Sequence, residues 1–334
     1  MRFISLAILL LLTVAGCHRG DDLLRLEGET MGTTWSVVFR PPGSLSPQSL
    51  RREIQGELDR INSLMSTYEP DSELSRFNDS RTTSWVSVSP DTARVVALAL
   101  EVSRLTEGAF DVTVGPLVDR WGFGPKPPGT IPTDAEVKEI LTRVGYRHLF
   151  VRENPPAIRK EIPDLRIDLS AVAKGYGVDR VADILSRNGV DSFLVEVGGE
   201  MVARGGRPDN TPWRIAIERP LSGRREAGWL IRLADGAVAT SGNYRNVRRE
   251  GGVRYGHTID PVVGMPVVNR VGSVTVIDDR CDRADAFATG LLALGEERGL
   301  RLAQEKGVAA FFVIHDEEGF REMATDPFRR RVGW

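Results

Sequence analysis

The chain is poor in the residues that mark specialised scaffolds. Among 334 residues there are two cysteines, four histidines and five lysines, and 46 acidic residues nearly cancel 44 basic ones, for a net charge of −2. Two cysteines exclude a disulfide framework. A balanced charge gives no reason to expect nucleic acid or an anionic membrane surface as partner. The histidines (His18, His148, His257 and His315) lie far apart, so neither HExxH nor a Cys/His zinc spacing is present. A GxSxG elbow and a phosphate loop ending in Gly-Lys-Ser/Thr are also missing. Gly175-Tyr176-Gly177-Val178-Asp179-Arg180 follows the strand-like Leu165 to Ile167 and begins like a dinucleotide fingerprint. It fails at Arg180, where the third glycine belongs, and its glycines fall inside a helical pattern. There is no internal repeat and no low-complexity tract. With 41% hydrophobic residues, disorder and collagen are excluded, and the length suffices for a sizeable core.

What is present begins with a leader. MRFISLAILLLLTVAGC opens with one arginine, runs apolar to Val14 and reaches small residues before Cys17. The apolar run is shorter than the roughly 20 residues that a spanning helix needs, and the plan is that of a signal peptide over residues 1–16. Val14-Ala15-Gly16-Cys17 resembles the bacterial lipobox, which implies cleavage before Cys17 and lipid on its sulfur. The expected destination is the bacterial cell envelope, with the chain lipid-anchored through Cys17 and facing the periplasm. Cys281 then has no partner, and with no histidine near it in sequence it reads as structural.

Beyond a tether expected up to residue 28, Thr33 to Phe39 reads as a strand ended by Pro41-Pro42-Gly43. Leu50, Ile54, Leu58, Ile61 and Leu64 recur at helical spacing. A second helix is expected from Ser89 as N-cap and Pro90 to about Thr106, and Thr133 with Glu136 forms a capping-box pattern. In the second half, strands are expected at Phe193–Val197, Trp213–Ile217, Trp229–Leu233, Val271–Ile277 and Val308–Ile314, with helices at about 171–188 and 283–294, the latter closed by Gly295. Strands and helices do not alternate strictly, so the fold class is α+β rather than a doubly wound parallel sheet. The expected domain spans 29–326.

The remaining signal lies in short dense clusters. They are Thr30 to Trp35, Met65 to Asn78, Gly108 to Thr113, Asp168 to Gly175, Glu196 to Glu200, Thr240 to Asn243, His257 to Pro261 and Ala284 to Thr289. In this order, over about residues 28 to 324, they resemble the ApbE family of flavin transferases. The resemblance implies a single large domain of mixed sheet and helices, T-fold-like, that uses Mg²⁺ to cleave FAD and place FMN on a threonine of a target protein, releasing AMP. It implies metal ligation by Asp285 and Thr289 and by the backbone of Ala171 and Ala288. It also implies contact with FAD by Met31, Tyr68, Ala109, Phe110, Asp111, Asp168, Lys174 and Ile259. The partners implied are FAD and acceptor flavoproteins of membrane respiratory complexes.

The residues themselves agree with part of this. Asp285 and Thr289 stand at i and i+4 and share a helix face, offering two oxygens to one hard cation. An aromatic such as Tyr68 can stack on a flavin ring, and Lys174 can approach a phosphate. His257, with an ordinary pKa near 6.5, suits the general base that a threonine acceptor requires, or a role in positioning Asp260 or the nucleotide. Gly198-Gly199 and Ser241-Gly242-Asn243 could admit a diphosphate or could simply be turns. Two other functions compete: an Mg²⁺-dependent FAD diphosphatase giving FMN and AMP, and a flavin-binding lipoprotein without catalysis. A generic solute-binding lipoprotein is disfavoured by the lack of a two-lobed repeat.

Overall fold

The computed structural model describes residues 23–43, 45–125, 129–221, 223–224, 226–244, 246–317 and 319–334. The signal peptide, Cys17 and His18 lie outside the described residues. Among the described residues, no helix is long and apolar enough to cross a membrane.

The chain opens with β1 (Leu24–Thr30), β2 (Thr33–Phe39), α1 (Pro47–Met65), α2 (Glu73–Asp79), β3 (Val86–Ser87) and α3 (Pro90–Leu105). Next come α4 (Gly115–Trp121), α5 (Asp134–Leu141), β4 (Leu149–Glu153), β5 (Pro156–Lys160), α6 (Ser170–Arg187), β6 (Phe193–Val197) and β7 (Glu200–Arg204). The ribbon β8 (Trp213–Glu218) and β9 (Ala227–Leu233) precedes β10 (Gly236–Gly242), β11 (Val247–Glu250), β12 (Val253–Gly256), β13 (Ile259–Asp260) and β14 (Met265–Pro266). The chain ends with β15 (Val271–Asp278), α7 (Cys281–Glu305), β16 (Ala309–Asp316), β17 (Gly319–Ala324) and α8 (Asp326–Val332).

Eight strands form one sheet in the order β1-β2-β6-β7-β10-β15-β16-β17. Every neighbouring pair in it is antiparallel, which fits the α+β expectation. Both faces are covered, and β16 shows how. Ala310, Phe312 and Ile314 pack under α3, α6 and α7, whereas Ala309, Phe311 and Val313 pack against the β8–β9 ribbon and Phe328 of α8. With side chains alternating between two buried faces, the strand reads as an unbroken apolar run.

The helices start where their caps put them. Ser46 accepts the Ser49 N–H at 3.4 Å, Ser89 accepts the Thr92 N–H at 3.1 Å, and Thr133 and Glu136 form the reciprocal capping box. The buried stripe of α1 is Leu50, Ile54, Leu58, Ile61 and Met65; Leu64 is only half-buried.

Several expectations are corrected. The tether does not reach residue 28, because Leu24–Thr30 is the edge strand β1, its charged Arg25, Glu27 and Glu29 turned to water. The domain does not stop at 326, because α8 inserts Phe328 into the core. Leu165–Ile167 is not a strand; these residues are held by side chains, the Asn78 amide pairing both ways with Ile167 and Lys160 donating to the Leu165 carbonyl. Gly295 does not close α7. It bends the helix at φ 79°, ψ −176°, and a second segment continues to Glu305. Asn269 fills the bend, donating to the Leu292 carbonyl at 2.8 Å and accepting the Val271 N–H at 3.0 Å.

Candidate active site

The floor of the site is built where α6 crosses the start of α7. A Cβ on Gly175 would lie 2.4 Å from the Cys281 carbonyl oxygen, so only glycine lets α6 press this closely on α7. One turn further along α6, the Asp179 carboxylate accepts the N–H groups of Cys281 at 2.9 Å and Asp282 at 3.0 Å. Arg280, the N-cap of α7, makes no side-chain cap bond, so this cap comes from another helix. Cys281 itself is fully buried, and burial pushes its thiol well above the usual range, in keeping with a structural role.

Clamped in this way, α7 brings Asp285 against the first turn of α6. Its Oδ2 accepts the Gly175 N–H at 3.1 Å, and the Lys174 ammonium lies 3.9 Å away. Lys174 also pairs with Glu200, the first residue of β7, at 2.8 Å. Burial works to neutralise Lys174, and Asp285 and Glu200 outweigh it, holding the ammonium charged above its usual range. Burial raises both carboxyls, with Lys174 pulling each back down. Two acids share one lysine, and Glu200 Oε2 has no hydrogen-bond partner among the described residues. The floor is therefore short of positive charge.

Above the floor opens a cavity of about 440 Å³, within the usual range for small-molecule sites. Tyr68, Ala109, Phe110, Asp111, Asp168, Ala171, Lys174, His257, Ile259, Asp285 and Thr289 all line it. Residues far apart in the chain thus converge. Tyr68 stands at the mouth, 64% exposed, on the turn between α1 and α2. Burial and the Asp168 and Asp119 carboxylates hold its phenol above the usual value. His257 lies across a 6.4 Å edge contact from Phe123, with its Nδ1 buried and unpartnered among the described residues. Burial lowers its pKa from the ordinary 6.5.

Met31 is not among the residues that line the cavity. It occupies the β1–β2 turn at φ 48° and packs partly buried against the core beside Gly177. Asp111 reaches the wall, and its carboxylate ties its own loop to the turn before β4. It accepts the Thr113 N–H at 2.8 Å, the Thr113 hydroxyl at 2.6 Å and the Tyr146 N–H at 2.8 Å. Asp168 similarly accepts from the Ser170 N–H and hydroxyl.

The donors suit a hard cation. Thr289 Oγ1 lies 2.8 Å from Ser241 Oγ, and both oxygens face the cavity with Asp285. Ala171 sits at a kink in α6, φ −90° and ψ 15°, and the N–H four residues on, that of Gly175, donates to Asp285. Ala288 is buried in α7 and offers only its carbonyl. Among the described residues, no group of three or more His, Cys, Asp or Glu is gathered to hold a metal. One carboxylate, hydroxyls and carbonyls beside an electron-rich floor match Mg²⁺, which keeps water and substrate phosphates in its shell, and do not match zinc.

Sequence reasoning assigned no role to Glu200 and left the Gly198 and Ser241-Gly242 turns undecided; all four residues line the cavity. For Glu200 a signal existed. It shares strand parity with the buried Val202, which turns an acid inward.

The protein is a mixed α+β scaffold carrying a cleft that is aromatic at its mouth and oxygen-rich at its floor. The comparisons narrow that class. The model of the ApbE family matches residues 31–312. A protein of Vibrio cholerae serotype O1 named FAD:protein FMN transferase is 44% identical over 331 residues, covering 98% of each chain. The solved structure of flavin transferase ApbE from Vibrio cholerae superposes with a TM-score of 0.86 at 44% identity, covering 93% of this chain and 99% of that one. The apo flavinyl transferase ApbE of Pseudomonas stutzeri gives 0.85 at 36% identity, over 94% and 98%. The chain belongs to the ApbE family.

Proposed function

We propose that this protein is an FAD:protein FMN transferase, moving FMN from FAD to a threonine of a target flavoprotein with release of AMP. The observation that carries the reading is that His257 and the Asp285–Thr289 oxygen pair open into the same cavity, with Tyr68 at its mouth. In the reaction, the acceptor hydroxyl oxygen bonds to the flavin-side phosphorus and the bond to the bridging oxygen breaks, so AMP leaves. His257, neutral at pH 7 because burial lowers its pKa, takes the hydroxyl proton. Lys174, held charged by Glu200 and Asp285, meets the diphosphate as a point charge. Tyr68, Phe110 and Ile259 supply the apolar wall for the isoalloxazine ring. Asp285, Thr289 and the carbonyls of Ala171 and Ala288 would hold Mg²⁺, which would supply neutralisation of the charge developing on the diphosphate.

The leader supports a lipid-anchored protein of the bacterial envelope, attached through Cys17 and facing the periplasm. Metabolic labelling with a radioactive fatty acid tests this; label must be lost in Cys17→Ser. The enzymatic reading is tested by incubating a purified acceptor domain with the protein, FAD and Mg²⁺. Mass spectrometry should find the acceptor heavier by one FMN with equimolar AMP. Free FMN matching AMP on an unmodified acceptor would mean hydrolysis, and intact FAD would mean binding alone.

A further inference from the structure

The segment after His257 doubles back as the β13–β14 ribbon. Its register pairs Ile259 with Pro266 and Asp260 with Met265, and the Val267 N–H donates to the Thr258 carbonyl at 2.9 Å. Val268 is the next residue along the chain from that bond, as His257 is on the other strand. One strand of the ribbon therefore forms the cavity wall, through His257, Thr258 and Ile259, followed by Pro261. Four apolar side chains of the tip and the returning strand face water, while Gly264 and Pro266 between them are buried. Val262 is 72% exposed, Val263 54% and Val268 97%. Met265 beside them is exposed as well.

Nothing about this tip is loosely held. Asp260 Oδ1 accepts the Val262 N–H at 2.8 Å and the Gly264 N–H donates to the Asp260 carbonyl at 2.8 Å. The buried Trp121 indole donates to the Gly264 carbonyl at 2.9 Å. A Cβ on Gly264 would meet Val137 at 2.6 Å, so the turn is wedged against α4 and α5. Loop tips are ordinarily polar, and apolar side chains fixed in water beside a cleft mark an interaction surface.

We infer that this valine rim is where the acceptor protein docks, through an apolar loop that carries its threonine. The inference rests on the transferase reading above. Continuity with the cleft selects the occupant. Val262 directly follows the wall residue Pro261, and Val268 directly follows Val267, which bonds to Thr258 beside the histidine that must meet the acceptor hydroxyl. A segment lying on the rim delivers a side chain into the mouth without further movement of the chain.

The test uses the full-length protein with Val262→Asp and Val263→Asp combined, and separately Val268→Glu, none of which touches the cavity wall. FMN transfer to a purified acceptor domain is measured against acceptor concentration, and FAD binding is followed by flavin fluorescence. The expected result is a fall of roughly tenfold or more in kcat/KM for the acceptor, carried by KM, with FAD affinity unchanged. Val262→Leu should retain wild-type transfer. Unchanged acceptor KM in both charged variants would overturn the proposal. So would loss of vesicle binding, or of self-association in sedimentation, with acceptor KM intact, since either would give the rim another occupant. If the unmodified protein transfers no FMN, the transferase reading fails, an outcome distinct from failure of the rim alone.

Discussion

At the cleft floor, the buried Glu200 of β7 and Asp285 of α7 flank the half-buried Lys174 of α6, which pairs with both. At the rim, Tyr68 and the valines of the β13–β14 ribbon stand in water on turns fixed by backbone and capping hydrogen bonds. Charge is costly to bury and is therefore held on rigid elements with partners at close range. Apolar groups are costly to expose, and the rim exposes them on a tip that could readily have been polar. The floor has the character of a site for a small anionic ligand and its cation, the rim that of a site for a macromolecule. One cleft thus presents two surfaces to two substrates.

The contrast can be broken at its floor with the largest effect. Asp285→Asn removes the anionic oxygen from the donor set and should slow FMN transfer roughly 10²- to 10³-fold, read by mass spectrometry of the acceptor. Wild-type transfer in that variant would separate the floor from the chemistry. At the junction of floor and rim, His257→Asn should leave FAD binding intact and slow transfer at least ~100-fold. Because the ring's pKa is lowered below 6.5, the base form persists at neutral pH and is lost on acidification, so the acid limb of kcat/KM should have its midpoint below pH 6.5 and vanish in the Asn variant. An acid limb that survives unchanged in the Asn variant would mean that another group is the base.

Two smaller effects sharpen the comparison. Gly175→Ala drives a methyl into the Cys281 carbonyl and should cost about 1–3 kcal/mol of stability by thermal unfolding. It should also weaken metal-dependent activity in the folded fraction, because Asp285 rides on the same contact. Tyr68→Ala should cost only about 0.5–1.5 kcal/mol in FAD affinity, a factor of roughly two to ten, and raise the share of free FMN. A large loss of stability there would show that Tyr68 is structural, contrary to its exposure.

Legibility divides along similar lines. Helix starts were readable because a single side chain, Ser46, Ser89 or Thr133, decides each one locally. Buried strands with apolar runs, such as Ala309 to Ile314 in β16, were equally plain. Strand β1 was obscured because its outward positions are charged, and Leu24-Arg25-Leu26-Glu27 looks polar unless the alternation is weighted. The end of α7 was misjudged because glycine at 295 signals a stop, whereas Asn269, distant in sequence, satisfies the broken helix. In the cleft, the i, i+4 pair Asp285 and Thr289 was visible from spacing, and the flavin contacts only through family resemblance. The cap from Asp179, the Lys174–Glu200 pair and the packing of Met31 against the core depend on tertiary contacts that no local pattern encodes.

The bend at Gly295 divides what α7 holds in place. Ahead of it, α7 answers to α6 through Gly175 and Asp179; behind it, Gly299 lies against Phe312 and Gln304 bonds to Asp326 of α8. One uninterrupted stretch of chain therefore makes two sets of contacts, the first with α6 beside the cleft and the second with β16 and α8, so a packing change behind the glycine reaches α8 without passing through Gly175 or Asp179.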